Sequence, residues 1–163
     1  MVKMNKWIIL GYGNPDRGDD GVAWHLLNEL LVSEGIENAE LFASDITDLN
    51  GKADIWFNFQ LLPEISELVA EYDRALFIDA HTGDIEEEIN FQKMEPDFKH
   101  SPFTHHLAPS SCLAIAEAIA GKYPEAWLLS IRGYVFEFSR ELSPKTKELS
   151  KIALQKIQEL ISK

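Results

Sequence analysis

A chain of 163 residues with a net charge of −12 has the length of one ordinary domain and the wrong charge for nucleic acid or an anionic membrane surface. Apolar residues make up 45% and charged residues 26%, a globular balance that argues against long disorder. The one cysteine, Cys112, excludes an internal disulfide and a cysteine-rich zinc cluster, and fits a reducing cytoplasm.

No repeat, low-complexity tract or compositional break divides the chain, so residues 1–163 read as one domain. Residues 6–10 are a β-rich apolar run stopped by Gly11 and Gly13, a first strand rather than a signal segment. The spacing of Val22, Leu26, Leu27, Leu30 and Leu31 predicts a helix over 21–34, with Gly35 as its C-terminal cap. Short strands are expected at 40–43 and 55–59, then a helix over 62–71 with Pro63 in its first turn. Residues 75–80 form an apolar run without alternation, as a strand buried on both faces requires. A strand at 88–93, an alanine-rich helix at 110–121, a strand at 126–131 and a long amphipathic helix over 144–161 complete the series. Strands alternating with helices predict an α/β fold, its largely parallel sheet covered on both faces and its ligands held at the carboxyl ends of the strands. No apolar stretch reaches the roughly 20 residues of a membrane helix, and no apolar heptad or sticky edge is evident, so a monomer is expected.

Three places carry polar residues where that fold would put a site. The first is the turn from Gly11 to Gly21, between strand and helix. Here Asp19 is placed as an N-cap, and Asp20 falls in the first helical turn, where the helix dipole favours negative charge. Both roles are common ones for aspartate, and a ligand role for Asp20 competes with them. Gly11-Tyr12-Gly13 also resembles the start of a dinucleotide fingerprint, but Asp16 stands in the third glycine's place. Asp16, Asp19 and Asp20 would repel a pyrophosphate and no Gly-Lys-Ser/Thr follows, so a nucleotide-binding domain ranks below a metal site. The second place is Asp79, at the end of an apolar strand, where an unpaired carboxylate is costly to bury. It caps the next turn, pairs with Arg74 or a lysine, or serves as a ligand at the sheet's carboxyl edge. His81 is an alternative ligand, expected to point away from Asp79 if the strand runs on. The third is a loop holding His100, His105 and His106 just before the helix that Pro109 and Ser110 begin. The N-terminus of that helix favours neutral imidazole, the metal-binding form.

Two carboxylates and an imidazole suit nickel, zinc, cobalt, manganese or iron, and three protein ligands leave positions open for water or substrate. There is no His-Glu-x-x-His and no Ser or Cys nucleophile elbow. Cys112 lies in an apolar helix and reads as core, and His25 as surface or packing.

At these three places the chain resembles the [NiFe] hydrogenase maturation proteases. The likeness rests on Gly11-Tyr-Gly-Asn followed by Asp19-Asp20-Gly21, on Ile78-Asp79-Ala80, and on Thr104-His105-His106-Leu107, in the family's order and over nearly the whole chain. Residues 60–73 and 126–144 also look familial, whereas the family's Gly-Gly-Thr turn is missing between Ala43 and Phe59. The resemblance implies a three-layer α/β/α sandwich around a twisted, mostly parallel five-stranded sheet. It implies an endopeptidase that removes a C-terminal extension from the nickel-loaded [NiFe] hydrogenase large-subunit precursor. It places metal contact and catalysis on Asp20, Asp79 and His105, with nickel supplied by the substrate. A non-proteolytic metal-binding or chaperone-like protein for hydrogenase assembly is the alternative.

Overall fold

The computed structural model describes residues 6–36, 41, 45–98 and 107–162. Its sheet has six strands: β1 (Trp7–Tyr12), β2 (Ile46–Asp48), β3 (Asp54–Asn58), β4 (Arg74–His81), β5 (Ile89–Met94) and β6 (Glu125–Arg132). Their order across the sheet is β2-β3-β1-β4-β6-β5. The inner four run parallel, and β2 and β5 pair antiparallel at the edges. The helices are α1 (Val22–Ser33), α2 (Ile65–Val69), α3 (Pro109–Ala120) and α4 (Pro144–Ile161), with a 3₁₀ turn, Gly18–Gly21, leading into α1.

The expected architecture is present, with α1 and α4 on one face and α2 and α3 on the other. Alternation along each inner strand divides its side chains between two cores. Trp7, Ile9, Leu76, Ile78, Leu129 and Ile131 pack under α1 and α4, whereas Ile8, Leu10, Ala75, Phe77 and Ala126 pack under α2 and α3. The four central strands are buried on both sides, which is why 75–80 shows no polar alternation. α4 buries Leu149, Ala153, Ile157 and Ile161 at four-residue spacing, and begins with Pro144 behind a Ser143 cap that accepts from the Thr146 amide. Among the described residues, no helix is long and apolar enough to cross a membrane.

The five strands that the resemblance implies become six. β2 is three residues long with no buried residue, so it carries no apolar pattern. It pairs with β3 through the turn at Asn50-Gly51, both at positive φ (50° and 77°), a hairpin signal that the sequence does carry. The strand expected at 40–43 lies outside the described residues except for Leu41, which is in no strand. α2 is shorter than the 62–71 expected because the segment opens with three-residue bonds, Ile65 N–H to Leu62 and Ser66 N–H to Pro63, rather than α-helical ones.

Candidate active site

β1 and β4 are neighbours in register, Gly11 beside Ile78, so Tyr12 at the end of β1 comes level with Asp79, two residues before the end of β4. Leu10 and Phe77 belong to the core under α2 and α3, and Tyr12 and Asp79, each two residues further on, face the same side. Asp20 reaches this point from the 3₁₀ turn. The loop before that turn folds back tightly: the Asn14 amide donates to Asp20 Oδ2 at 2.8 Å, and the Gly13 amide to the Asn58 carbonyl at 3.2 Å. Gly13 has φ +139°, and a Cβ there would lie 2.1 Å from the Asp20 carbonyl, so only glycine permits the closure.

Tyr12, Asp20 and Asp79 border one cavity of about 350 Å³, which is also lined by Phe59, Gln60, Leu61, Leu107, Ala108 and Pro109. The cavity thus combines two carboxyl groups with a largely apolar lining. Burial pushes the Asp79 carboxyl up to about 7; the Ala80 amide, 2.7 Å from Oδ1, opposes this and the charge of Asp20 adds to it. The Tyr12 phenol is held well above its ordinary value, first by burial and then by the charge of Asp79, to which it donates. The cavity therefore offers a carboxyl that changes charge near neutrality, a second carboxylate beside it, and a phenol that stays protonated. Two such oxygens reward a divalent cation, which would relieve the repulsion between them.

Asp20 and Asp79 are brought together as expected. Among the described residues no three His, Cys, Asp or Glu side chains form a metal-binding group. The third expected ligand, His105, lies with His100 and His106 outside the described residues, and the chain re-enters at Leu107 in the cavity wall. His81 corrects its expectation: the strand does run on, but residues two apart share a face, so His81 lies on the side of Asp79. It is buried, and its Nδ1 accepts from the Gly83 amide at 3.2 Å.

Asp19 is the larger correction. It is no helix cap, because Gly21 holds that position for α1. Its side chain is fully buried. Oδ2 accepts from the Tyr134 and Val135 amides at 2.8 and 3.0 Å, from Ser143 Oγ at 2.6 Å and from Thr146 Oγ1 at 2.9 Å, while Oδ1 accepts from the Ser143 amide at 2.7 Å. Burial acts to raise its pKa, but the bonds from Ser143, Tyr134 and Val135 outweigh it and hold the carboxyl below its usual value. Adjacent aspartates thus divide the work: Asp19 ties the turn to the start of α4, and Asp20 enters the cavity. Sequence reasoning also missed Tyr12, although its same-face spacing from the core residue Leu10 is a signal for it.

The Gly11–Gly21 turn does not offer a phosphate cradle. The amides of Asn14, Asp16, Arg17, Gly18 and Asp19 all donate within the protein, and Asp16 pairs with Arg140 at 2.7 Å. Cys112 is core as expected: Ser66 Oγ lies 3.3 Å from its sulfur, and burial pushes the thiol up to about 11. His25 is half-buried, and burial lowers its pKa.

No family model matches the sequence, and no curated protein matches it either. Solved structures do match in shape. The hydrogenase maturating endopeptidase HybD from E. coli superposes with a TM-score of 0.62 at 16% identity, over 93% of this chain and 89% of that one. The [NiFe] hydrogenase maturation protease HycI from Thermococcus kodakarensis gives 0.65 at 20% identity, over 98% and 94%. HybD from the same organism, also a [NiFe] hydrogenase maturation protease, gives 0.66 at 15%, over 96% and 99%. The chain has the fold of these maturation proteases along nearly its whole length.

Proposed function

We propose that this protein is a hydrolase, an endopeptidase that removes a C-terminal extension from the nickel-loaded large-subunit precursor of a [NiFe] hydrogenase. One observation carries the reading: in a fold shared with named maturation endopeptidases, Asp20 and Asp79 converge on one cavity at the sheet's carboxyl edge. The proposed site is Asp20, Asp79 and His105, and the reducing cytoplasm and a monomeric enzyme complete the proposal.

Nickel enters as part of the substrate and docks on this trio; another divalent ion is the alternative. Asp79, near its titration midpoint at neutral pH, gives up its proton on meeting the cation. Tyr12 remains a donor throughout and fixes that carboxylate. The cation polarises the scissile carbonyl or activates a water. Water adds to the carbonyl carbon, the C–N bond breaks, and the departing amine takes a proton. The Phe59–Leu61 and Leu107–Pro109 wall receives the chain and keeps bulk water out.

The test is intact mass after incubation with a nickel-loaded large-subunit precursor. A discrete loss of a C-terminal peptide is expected, dependent on nickel and slowed by at least about a hundredfold in Asp20→Ala, a variant that stays folded. Normal processing by Asp20→Ala sinks the assignment. A stable complex without loss of mass replaces the protease with a chaperone-like partner of the precursor.

A further inference from the structure

The chain leaves β3 at Asn58, and the next three residues, Phe59, Gln60 and Leu61, all line the cavity that holds Asp20 and Asp79. Backbone bonds fix this stretch relative to Asp20. The Gly13 amide donates to the Asn58 carbonyl at 3.2 Å, and the next amide, that of Asn14, donates to Asp20 Oδ2 at 2.8 Å. The Phe59 amide donates to Asn58 Oδ1 at 2.7 Å. The Phe59 ring meets the ring of the buried Phe57 edge to face, with centroids 6.4 Å apart, a favourable aromatic geometry. Backbone and ring are both held, yet Phe59 is 58% exposed. A single exposed phenylalanine is ordinary on a protein surface. This one is set apart by its place in the lining of the cavity that holds the two carboxyl groups.

We propose that Phe59 is a specificity-determining residue, whose ring packs on an apolar side chain of the substrate residue beside the scissile bond. This rests on the function proposed above. The cavity selects its occupant. At about 350 Å³ it admits a stretch of chain with its side chain, not a folded surface. An acidic side chain is repelled by Asp20 and Asp79, and a basic one by the cation docked on them. Most of the remaining lining is carbon, from Phe59, Leu61, Leu107 and Pro109, and gains only from covering by an apolar group. Leu61 and Pro109 are already buried and Leu107 is half-buried. Phe59 is therefore the large apolar side chain in the lining with the most surface left for substrate to cover.

The experiment uses nickel-loaded large-subunit precursors. The mass of the released peptide locates the cut, and each of the two residues flanking it is replaced in turn by Leu and by Ser. Processing of every precursor is then measured with wild type, Phe59→Ala and Phe59→Leu, with thermal melting alongside. At one flank, wild type should favour the Leu precursor over the Ser precursor by at least about tenfold in kcat/KM. In Phe59→Ala that ratio should fall to within about twofold, and Phe59→Leu should recover most of it. Melting should not move, because the ring is mostly exposed. Equal losses on the Leu and Ser precursors, or a preference that survives Phe59→Ala, overturn the assignment while leaving the protease intact. A wild type with no preference at either flank overturns it as well. A wild type that cuts no precursor removes the proposed function, and this role for Phe59 with it.

Discussion

Asp79 shows how much one position at a strand end determines. Its strand neighbours bury it, Asp20 adds negative charge, and the carboxyl titrates at about 7 instead of its ordinary 3.8. Between those values the folded chain keeps a proton that the unfolded chain has lost. The stabilising effect of that proton is therefore full below about pH 4, declines as pH rises towards 7, and is gone above. Asp79→Asn should accordingly be more stable than wild type at pH 8, by about 2–4 kcal/mol after allowing for partial exposure, with the gap closing towards pH 4. Urea unfolding at the two pH values measures this; a gap independent of pH would mean the carboxyl is not perturbed in the folded state. In the same way, kcat/KM for processing should climb with pH through about 7 as Asp79 ionises in the free enzyme. Asp20 and Asp79 are legible as candidate site residues because each follows an apolar strand in an alternating α/β pattern. Tyr12 was less so, since its meaning depends on β4 lying beside β1.

Among the elements, the turn at Gly18–Gly21 and the start of α4 are held together by Asp19. Removing its carboxylate in Asp19→Ala leaves the amides of Tyr134, Val135 and Ser143 and the Thr146 hydroxyl without their shared acceptor. Such a loss costs about 3–5 kcal/mol and loosens the turn that presents Asp20, so processing should drop with stability. Chemical denaturation checks it, and a cost under about 1 kcal/mol would show that water or other acceptors replace the carboxylate readily. Capping rules assign Asp19 to the helix that follows because they look three residues ahead, whereas its partners lie more than a hundred residues away. The same short range hid β2, a strand specified by the Asn50-Gly51 turn rather than by its own residues. α4, by contrast, was read to both bounds: a Ser-Pro start and four-residue apolar spacing are local signals.

In the whole molecule, one sheet separates two cores. Leu27 packs over Gly11 under α1, where a Cβ on the glycine would lie 2.5 Å from the leucine Cδ1, and Phe77 fills the opposite core. Leu27→Ala and Phe77→Ala should each cost about 3–5 kcal/mol, and the double variant should cost their sum to within about 0.5 kcal/mol, because no shared cavity couples them. Equilibrium unfolding of the three variants decides this, and strong non-additivity would mean the sheet transmits repacking between its faces. By itself the sequence determined the class of fold, the parallel inner strands, most helix bounds and the two carboxylates that meet at the cavity, since hydrophobic period and strand-end position are written in consecutive residues. The tertiary structure decided which aspartate of an adjacent pair enters the cavity, which phenol meets Asp79, and how many strands close the sheet. Those outcomes depend on hydrogen bonds and contacts between segments remote in the chain, which no local pattern encodes.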